Sequence, residues 1–208
     1  DIQVRGYNLR LPLDMLVVAS ANPEDYTNRG RIITPLKDRF GAEIRTHYPL
    51  DLHLEIELIK QEAAIQAVTP QHMLDVVARF TSLVRESSYV DQRSGVSARF
   101  SIACVEELSG AALRRTAING DGEPVVRIGD LEDVVSSLRG KVEFEVSQEG
   151  SEVEILTLLA RQATAASWRA LLGGQSTRVF LTNLVDWFDA GNTLATSDLM
   201  SSASILEA

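Results

Sequence analysis

From residue 56 to residue 188, apolar residues recur mainly three or four positions apart, and this spacing most constrains the fold. Ile56, Ile59, Ala63 and Ala67 form the first such stripe. Residues at these spacings share one face of a helix, and an apolar face must be buried against another part of the protein. The pattern predicts amphipathic helices packed as a bundle. The later stripes are Met73, Val77, Phe80 and Val84; Ile102, Val105, Leu108 and Ala112; Leu156, Leu159, Ala163, Ala166 and Ala170; and Phe180, Leu184, Trp187 and Phe188.

Capping residues predict where these helices begin and end. Thr69 is an N-cap residue type, and Pro70 after it suits the first helical position. Ser97 predicts the cap of the next helix, and Ser151 followed by Glu154 has capping-box spacing. Residues 130–138 predict a short helix after the turn cluster at 119–122. The predicted helix ends lie near Gly140, at Gly173 and Gly174, and before Gly191.

The first 48 residues predict β-structure instead. Residues 2–13 alternate around a turn at 6–8 and predict a hairpin. The apolar run at 15–19 predicts a strand buried on both faces, which ends before Asn22 and Pro23. Residues 43–48 predict a second strand, and residues 142–146 predict a short, isolated one. Asn22 therefore follows the carboxyl end of a buried strand, where open α/β sheets bind their ligands.

Composition and charge limit the class of protein. Apolar residues make up 45% of the chain and charged residues 24%, which is ordinary for a globular protein. A single cysteine excludes an internal disulfide framework, and no apolar run approaches the ~20 residues that span a bilayer. We expect a cytoplasmic protein without membrane contact. The sequence begins at Asp1 without a methionine, and we expect it to be a piece of a longer protein.

The net charge of −9 is unevenly distributed. Residues 1–48 carry seven basic and six acidic residues, whereas residues 49–140 carry nine and fourteen, and residues 141–208 carry four and nine. The overall balance argues against general nucleic-acid binding. The basic first segment predicts a local anionic partner.

Two common kinds of catalytic site are not favoured. His47, His53 and His72 lack the spacing of metal ligands, and surface or capping roles are favoured for them. Cys104 lies on an apolar helix face and is predicted to be a small core residue. No G-x-S-x-G or H-E-x-x-H motif occurs. We predict no metal site in this sequence.

Residues 15–45 carry the most chemistry. Asn22 supplies an amide at a strand end, and a cationic loop follows that ends in Lys37, Asp38 and Arg39. Such groups could orient a water or neutralise charge on a transferred phosphoryl group. The alternative is a solvated loop in which Asn22 makes a local turn. Spacing alone favours this alternative.

Three motifs in order give a resemblance to a known family. Residues 16–24 read LVVASANPE, residues 33–41 read ITPLKDRFG, and residues 92–100 read QRSGVSARF. Together they resemble the second half of an AAA+ ATPase core of the magnesium-chelatase-like and MoxR-like clade. The resemblance covers roughly residues 1–140. It implies a mainly α chain with a small α/β remnant: the rear of an AAA+ core at 1–48 with a pre-sensor hairpin, a helical lid at 49–140, and a helical extension at 141–208.

The resemblance also implies residue roles. Asn22 would be sensor 1 and hold the attacking water, and Arg39 would be the arginine finger that reaches a neighbouring subunit's nucleotide. Asp38 would help to set the contact between subunits, and Arg99 would be sensor 2, reading the γ-phosphate from the lid. Arg45 and Arg93 are weaker candidates, Arg93 being equally suited to a structural ion pair, and Lys37 is expected to be a solvated neighbour.

The chain departs from the family at two motifs. It contains no Walker A sequence and no apolar run that ends in the Asp-Glu of a Walker B. We therefore expect ATP and Mg²⁺ to act in a longer protein, and this chain alone to bind neither and to be inactive. The implied whole protein is a homo-oligomeric ring, a hexamer, that remodels a partner protein. In this family the partner often carries an integrin-type metal-binding domain.

Two other functions remain open. The chain could be a non-enzymatic, protein-binding adaptor with a degenerate AAA+ lid. The hairpin, with Arg5 and Arg10, could contact nucleic acid, although two arginines make a small phosphate footprint. In residues 141–208, Trp168 and the pair Trp187 and Phe188 could anchor an interface, but helical spacing favours core packing for them.

Overall fold

A computed structural model describes residues 2–9, 16–20, 39–120, 122–197, 200, 201 and 204. The chain divides into two units, Asp1–Thr46 and His47–Ala208. Helices dominate the described part, which confirms the prediction of a mainly α chain.

The first unit begins with the predicted hairpin. Strands β1 (Ile2–Val4) and β2 (Tyr7–Leu9) pair antiparallel, with Ile2 opposite Leu9 and Val4 opposite Tyr7. The turn lies at Arg5 and Gly6, earlier than predicted, and both residues have positive φ, 48° and 84°. Positive φ at both central positions is the geometry of a type I′ turn, which matches the twist of a two-stranded hairpin. The rest of the predicted hairpin, residues 10–13, lies outside the described residues.

The two strands predicted in residues 15–19 and 43–48 are not formed where the chain is described. Residues 16–20 and 43–48 have no ladder partner, and their side chains are exposed, with Leu16 at 90% and Ile44 at 88%. A strand needs neighbours that accept and donate its backbone hydrogen bonds, and a run buried on both faces needs two covering layers. The described residues of the first unit supply only the β1–β2 pair.

The second unit contains the helices. They are α1 (Leu52–Glu62), α2 (Gln71–Glu86), α3 (Arg99–Asn119), α4 (Asp130–Leu138), α5 (Glu152–Leu171) and α6 (Gln175–Asp189), with short 3₁₀ turns at Arg139–Lys141 and Val146–Gln148. The predicted helix at 130–138 is confirmed residue for residue. The end predicted at Gly173 and Gly174 is confirmed for α5, which stops at Leu171.

Helix α2 is the centre of the bundle. It packs most extensively against α5 and also contacts α1 and α3, while α4 closes the layer against α3 and α5. Met73, Val77, Phe80 and Val84, the predicted stripe of α2, are fully buried. The rings of Phe80 and Phe100 meet edge to face, with centroids 5.2 Å apart and planes at 65°. Such pairs add about 0.5–1.5 kcal/mol beyond their burial and fix α3 against α2.

The first two helix starts differ from the predictions. Asp51 caps α1, its carboxylate accepting a hydrogen bond from the Leu54 amide at 2.9 Å. The Thr69 cap is wrong, because Pro70 itself occupies the N-cap position of α2. The Thr69 hydroxyl instead donates to the Ala67 carbonyl at 3.2 Å, and no side chain makes a capping bond to α2. Helix α1 ends at Glu62. The last two residues of the predicted stripe, Ala63 and Ala67, therefore lie in the segment that connects α1 to α2.

The later capping predictions are partly right. The Ser97 hydroxyl accepts a hydrogen bond from the Arg99 amide at 3.2 Å, although α3 begins one residue later than a cap at Ser97 requires. Ser151 is the N-cap of α5, but its side chain makes no capping bond, so the capping box is wrong. The first residue of the helix, Glu152, accepts a hydrogen bond from the Gly150 amide at 3.0 Å, just before the helix begins. Hydrogen bonds from its own amide and from Gly150, with Arg139 nearby, lower the pKa of Glu152.

Two single β-bridges join the loops of the bundle. Val68 pairs with Val125 and Val90 with Phe144. The strand predicted at 142–146 is therefore wrong. Two backbone hydrogen bonds join the described residues of these segments. The Asp91 amide donates to the Glu143 carbonyl at 2.9 Å, and the Glu145 amide donates to the Tyr89 carbonyl at 3.0 Å. The partner segment is short because it lies between the end of α2 and the turn that leads to α3.

Helix α6 does not join the core. No described helix packs extensively against it, and its described side chains are exposed or half-buried. Trp187 is 42% exposed and Phe188 45%, and Trp168 on α5 is 44% exposed. The prediction of core packing for these residues is wrong. Helical spacing shows that the residues share a face, but it does not show that another element covers that face.

Candidate functional site

The predicted site residues fall in both units. Asn22 and Asp38 lie outside the described residues. Arg39 lies in a turn of the first unit and is exposed, while Arg99 is the first residue of α3 in the second unit and is also exposed. The geometry around Arg99 can be built from its neighbours.

Arg99 is held at the N-terminus of a helix of 21 residues. Its amide donates to the Ser97 hydroxyl, and the Phe100 amide donates to the Ser97 carbonyl at 2.9 Å. Phe100 is fully buried, which fixes the helix so that its neighbour Arg99 faces water. Within the described part of the chain, the Arg99 guanidinium makes no hydrogen bond or ion pair. A guanidinium beside the N–H groups of a helix N-terminus favours an anion such as a phosphate oxygen.

A buried ion pair lies behind this N-terminus. Arg85 on α2 donates two hydrogen bonds to Glu55 on α1, at 2.6 and 3.2 Å. The Glu55 side chain is 3% exposed and that of Arg85 11%. The Ser101 hydroxyl on α3 also donates to Glu55, at 2.6 Å. One carboxylate therefore joins three helices at the start of α3.

Arg85 and Tyr48 fix the loop that leads to Arg99. The Arg85 Nε donates to the Val96 carbonyl at 3.2 Å, and the guanidinium lies 4.4 Å from the centre of the Tyr48 ring. The Tyr48 hydroxyl accepts from the Val96 amide at 3.0 Å. Both backbone groups of Val96 are thus satisfied by side chains from distant parts of the second unit.

Gly95 makes this arrangement possible. Its φ is +66°, and a Cβ at this position would lie 2.5 Å from the Tyr48 hydroxyl oxygen. A side chain would therefore meet both a backbone penalty and a steric one. The glycine of the QRSGVSARF motif allows the loop to turn directly under Tyr48.

The rest of the loop is tied to neighbouring segments. The Gln92 side-chain amide donates to the Ser87 carbonyl at 2.9 Å and to the Arg85 carbonyl at 3.1 Å. Ser94 donates to the Glu143 carboxylate. The Arg93 amide donates to the Asp91 carboxylate at 2.8 Å, while its side chain is in no ion pair among the described residues. The loop is therefore preorganised, and Arg93 contributes through its backbone.

Arg45, the other weaker candidate, forms an ion pair with Glu43 in the first unit. The distance is 3.3 Å, and the Arg45 side chain is 86% exposed. Exposed pairs two residues apart contribute little stability.

Sequence reasoning missed Glu55, Arg85 and Tyr48. Glu55 immediately precedes Ile56 on the inward stripe of α1, and Arg85 immediately follows Val84 on that of α2. A charged residue at the edge of an apolar stripe was the available signal. The stripes do not show that two such residues, 30 positions apart, meet.

A second buried ion pair lies away from Arg99. Arg115 on α3 donates to Asp130 at the start of α4 at 3.0 Å, and both side chains are at most 9% exposed. Arg115 also donates to the Val125 carbonyl at 2.6 Å, and the Arg127 amide donates to Asp130 at 2.7 Å. This pair fixes α4 against α3 and has no exposed charge to offer a ligand.

Cys104 is fully buried, as predicted for a small core residue. Burial, with a smaller contribution from the Glu107 carboxylate, raises the pKa of the Cys104 thiol far above its ordinary value. A thiol in this state is a poor nucleophile. Across the described segments, no group of three or more His, Cys, Asp or Glu could hold a metal ion. None of the helices described is both long and apolar enough to cross a membrane.

Comparison with known proteins gives no family. The chain matches no protein-family model, no curated protein and no solved structure at a significant level.

Proposed function

We propose that this chain is part of an AAA+ ATPase of the magnesium-chelatase-like and MoxR-like clade. Residues 1–48 would form the rear of its α/β core, residues 49–140 its helical lid, and residues 141–208 an extension. The observation that carries the proposal is the exposed Arg99 at the first position of α3. The buried Glu55–Arg85 pair and Tyr48 hold this arginine's loop in place.

The chemistry assigned to the chain is charge stabilisation. Phosphoryl transfer spreads negative charge over the equatorial oxygens, and fixed cations lower its barrier. Arg99 would contact the γ-phosphate of the nucleotide bound by its own subunit, and Arg39 that of a neighbouring subunit. Asn22 would orient the attacking water, and Asp38 would help to set the subunit contact. A finger that acts between subunits requires a ring, which we propose to be a hexamer.

The chain supplies only part of an ATP site. Arg99 and the α3 N-terminus suit a phosphate oxygen. The sequence has no Walker A loop to cradle the phosphates and no Walker B carboxylates for Mg²⁺. The proposal therefore assigns these to a longer protein, in the cytoplasm, that remodels a partner protein. This chain alone would bind neither ATP nor Mg²⁺ and would have no turnover.

The test uses the complete reading frame that encodes this chain. A Walker A lysine should lie within the preceding couple of hundred residues. We expect Arg39→Ala to reduce the rate of ATP hydrolysis by about 10³-fold or more while nucleotide is still bound, because arginine fingers act mainly on the chemical step. Arg99→Ala should also reduce hydrolysis, and Arg93→Ala is the matched control on the adjoining loop. Unchanged hydrolysis in the Arg39 variant, or the lack of an upstream Walker A lysine, would overturn the proposal.

A second candidate is a non-enzymatic adaptor that binds a protein partner. The exposed apolar face of α6 favours it, because contiguous exposed apolar side chains mark interaction surfaces. The two candidates give different results for Arg39→Ala and Arg99→Ala. An adaptor with a degenerate lid would keep its full affinity for the protein partner in both variants.

A further inference from the structure

An open apolar groove runs between α4 and α5. Its volume is about 440 Å³. A single ion pair, Arg161 to Glu132 at 3.2 Å, crosses its rim, and both of these side chains are about 70% exposed. The groove walls are otherwise apolar or carry only hydroxyl groups. They include Ile128, Leu131 and Val135 on one side and Thr157, Ala160 and Thr164 on the other.

The apolar surface continues past the groove along α5. Ile128 also borders a small hollow formed with Trp168 and Leu171. These three side chains are 39%, 44% and 58% exposed. We call these three side chains the ledge. The groove and the ledge together form one apolar strip along α5.

Helix α6 has an apolar face of matching character. Its polar residues Arg178, Thr182, Asp186 and Asp189 lie on one side together with the apolar Val179. At about 100° per residue the other apolar residues cover an arc of roughly 160° on the opposite side. Phe180 is 62% exposed, Leu184 40% and Val185 56%. A helix of 15 residues is about 22 Å long. The apolar arc is wide enough to fill a groove between two helices.

We propose that α6 of one copy of this chain docks in the α4–α5 groove of a second copy, so that each copy gives one helix and receives one. The exposed apolar parts of α6 amount to roughly 500–600 Å², about the largest patch that a monomer usually exposes. The ledge of Ile128, Trp168 and Leu171 adds about half as much again. The exchange would bury roughly 800 Å² per copy, which is the standard size of a stable interface.

The connection between α5 and α6 favours exchange over docking within one copy. Only residues 172–174 separate the helices. A Cβ on Gly173 would lie 3.0 Å from the Arg169 carbonyl oxygen, so the chain passes tightly over the end of α5. A connector this short either folds the next helix back along the last or directs it away. In this structure α6 does not pack along α5, and short hinges of this kind promote exchange between copies.

The test is the mass of the chain in solution, measured by sedimentation from about 1 to 200 µM. We expect a dimer, or a larger closed particle, at the upper end. Two variants should each weaken association at least tenfold: Phe180→Ser with Trp187→Ser on α6, and Ala165→Glu in the groove wall. The matched controls are Leu158→Ser and Ala170→Glu, which alter exposed α5 positions outside the groove.

Circular dichroism would show whether each variant keeps its helix content, and mixing supplies a second measurement. The α6 variant and the groove variant each retain one intact surface, so together they should form a mixed pair that neither forms alone. A single copy at every concentration would overturn the proposal. Association that survives either variant, or that the control variants weaken equally, would also overturn it.

Discussion

The guanidinium of Arg85 and the carboxylate of Glu55 form an ion pair with two hydrogen bonds, at 2.6 and 3.2 Å, between α1 and α2. Both side chains are almost entirely removed from water. Such a pair contributes little net stability over apolar residues of the same size, but losing one partner leaves a buried charge uncompensated. We infer that the pair specifies how α1 and α2 meet beside the loop before Arg99.

Glu55→Gln should lower the free energy of unfolding by about 3 kcal/mol, because Arg85 would stay buried without a counter-charge. Urea titration followed by circular dichroism measures this loss. The control is Glu57→Gln on the same helix, whose exposed pair with Lys60 should contribute at most about 0.5 kcal/mol. Adding Arg85→Met to Glu55→Gln should recover part of the loss. Equal losses for Glu55→Gln and Glu57→Gln would contradict the prediction.

Asp130→Asn should be costly for the same reason at the other end of α3. Asp130 accepts hydrogen bonds from Arg115 and from the Arg127 amide, in a site that is 6% exposed. We expect a loss of about 3 kcal/mol. Asp133→Asn, on the same short helix, removes an exposed pair with Arg114 and should cost under about 1 kcal/mol. The difference between these two variants is the measurement, and similar melting temperatures would disprove the role of Asp130.

Gly95→Ala should destabilise the loop before Arg99. The positive φ alone costs an alanine about 1–2 kcal/mol, and the contact with the Tyr48 hydroxyl adds to it. Repeating the change in a Tyr48→Phe background separates the two causes, because the hydroxyl that the Cβ would meet is then gone. The loss should be smaller there. Gly122→Ala is the control, since its Cβ would meet nothing within 4 Å and its φ is ordinary. An identical loss in both backgrounds would rule out the contact with Tyr48.

Cys104 should make the folded state less stable in alkali. Its pKa is raised in the folded protein, chiefly by burial, so the unfolded chain releases the thiol proton at lower pH. The contribution is constant below the unfolded pKa of about 8.5 and is lost as pH rises above it, by up to ~1.4 kcal/mol per pH unit. Urea titrations of the protein and of Cys104→Ala from pH 8 to 10 should therefore diverge by about 2 kcal/mol. Parallel curves would show that the thiol is not protected.

The helices could be predicted because their information is local. Residues 130–138 show this best, since the turn cluster before them and Gly140 after them bound α4 within a few residues. The apolar run at 16–20 shows the opposite. Whether such a run becomes a strand depends on which segments lie beside it, and no property of the run itself supplies that. The burial of Cys104 was predicted correctly, because a small residue on the apolar face of a helix usually packs in the core.

The candidate site was predictable only in part. The exposure of Arg99 follows from its place before the inward-facing Phe100. The residues that hold its loop come from α1, α2 and the segment before α1, and their meeting depends on tertiary packing. Trp187 was misjudged for a related reason. Its face is apolar, but among the described residues no helix packs extensively against it, and Trp187 is 42% exposed.

The two single β-bridges have a consequence for hydrogen exchange. The Val126 amide donates to the Val68 carbonyl at 2.9 Å, and the Asp91 amide donates to the Glu143 carbonyl at 2.9 Å. Each bond joins loops whose flanking helices lie far apart in sequence, so opening one loop requires the other to detach. The amide protons of Val126 and Asp91 should therefore exchange together with those of the central helices, as parts of one cooperative unit, and not at the fast rate of ordinary surface loops.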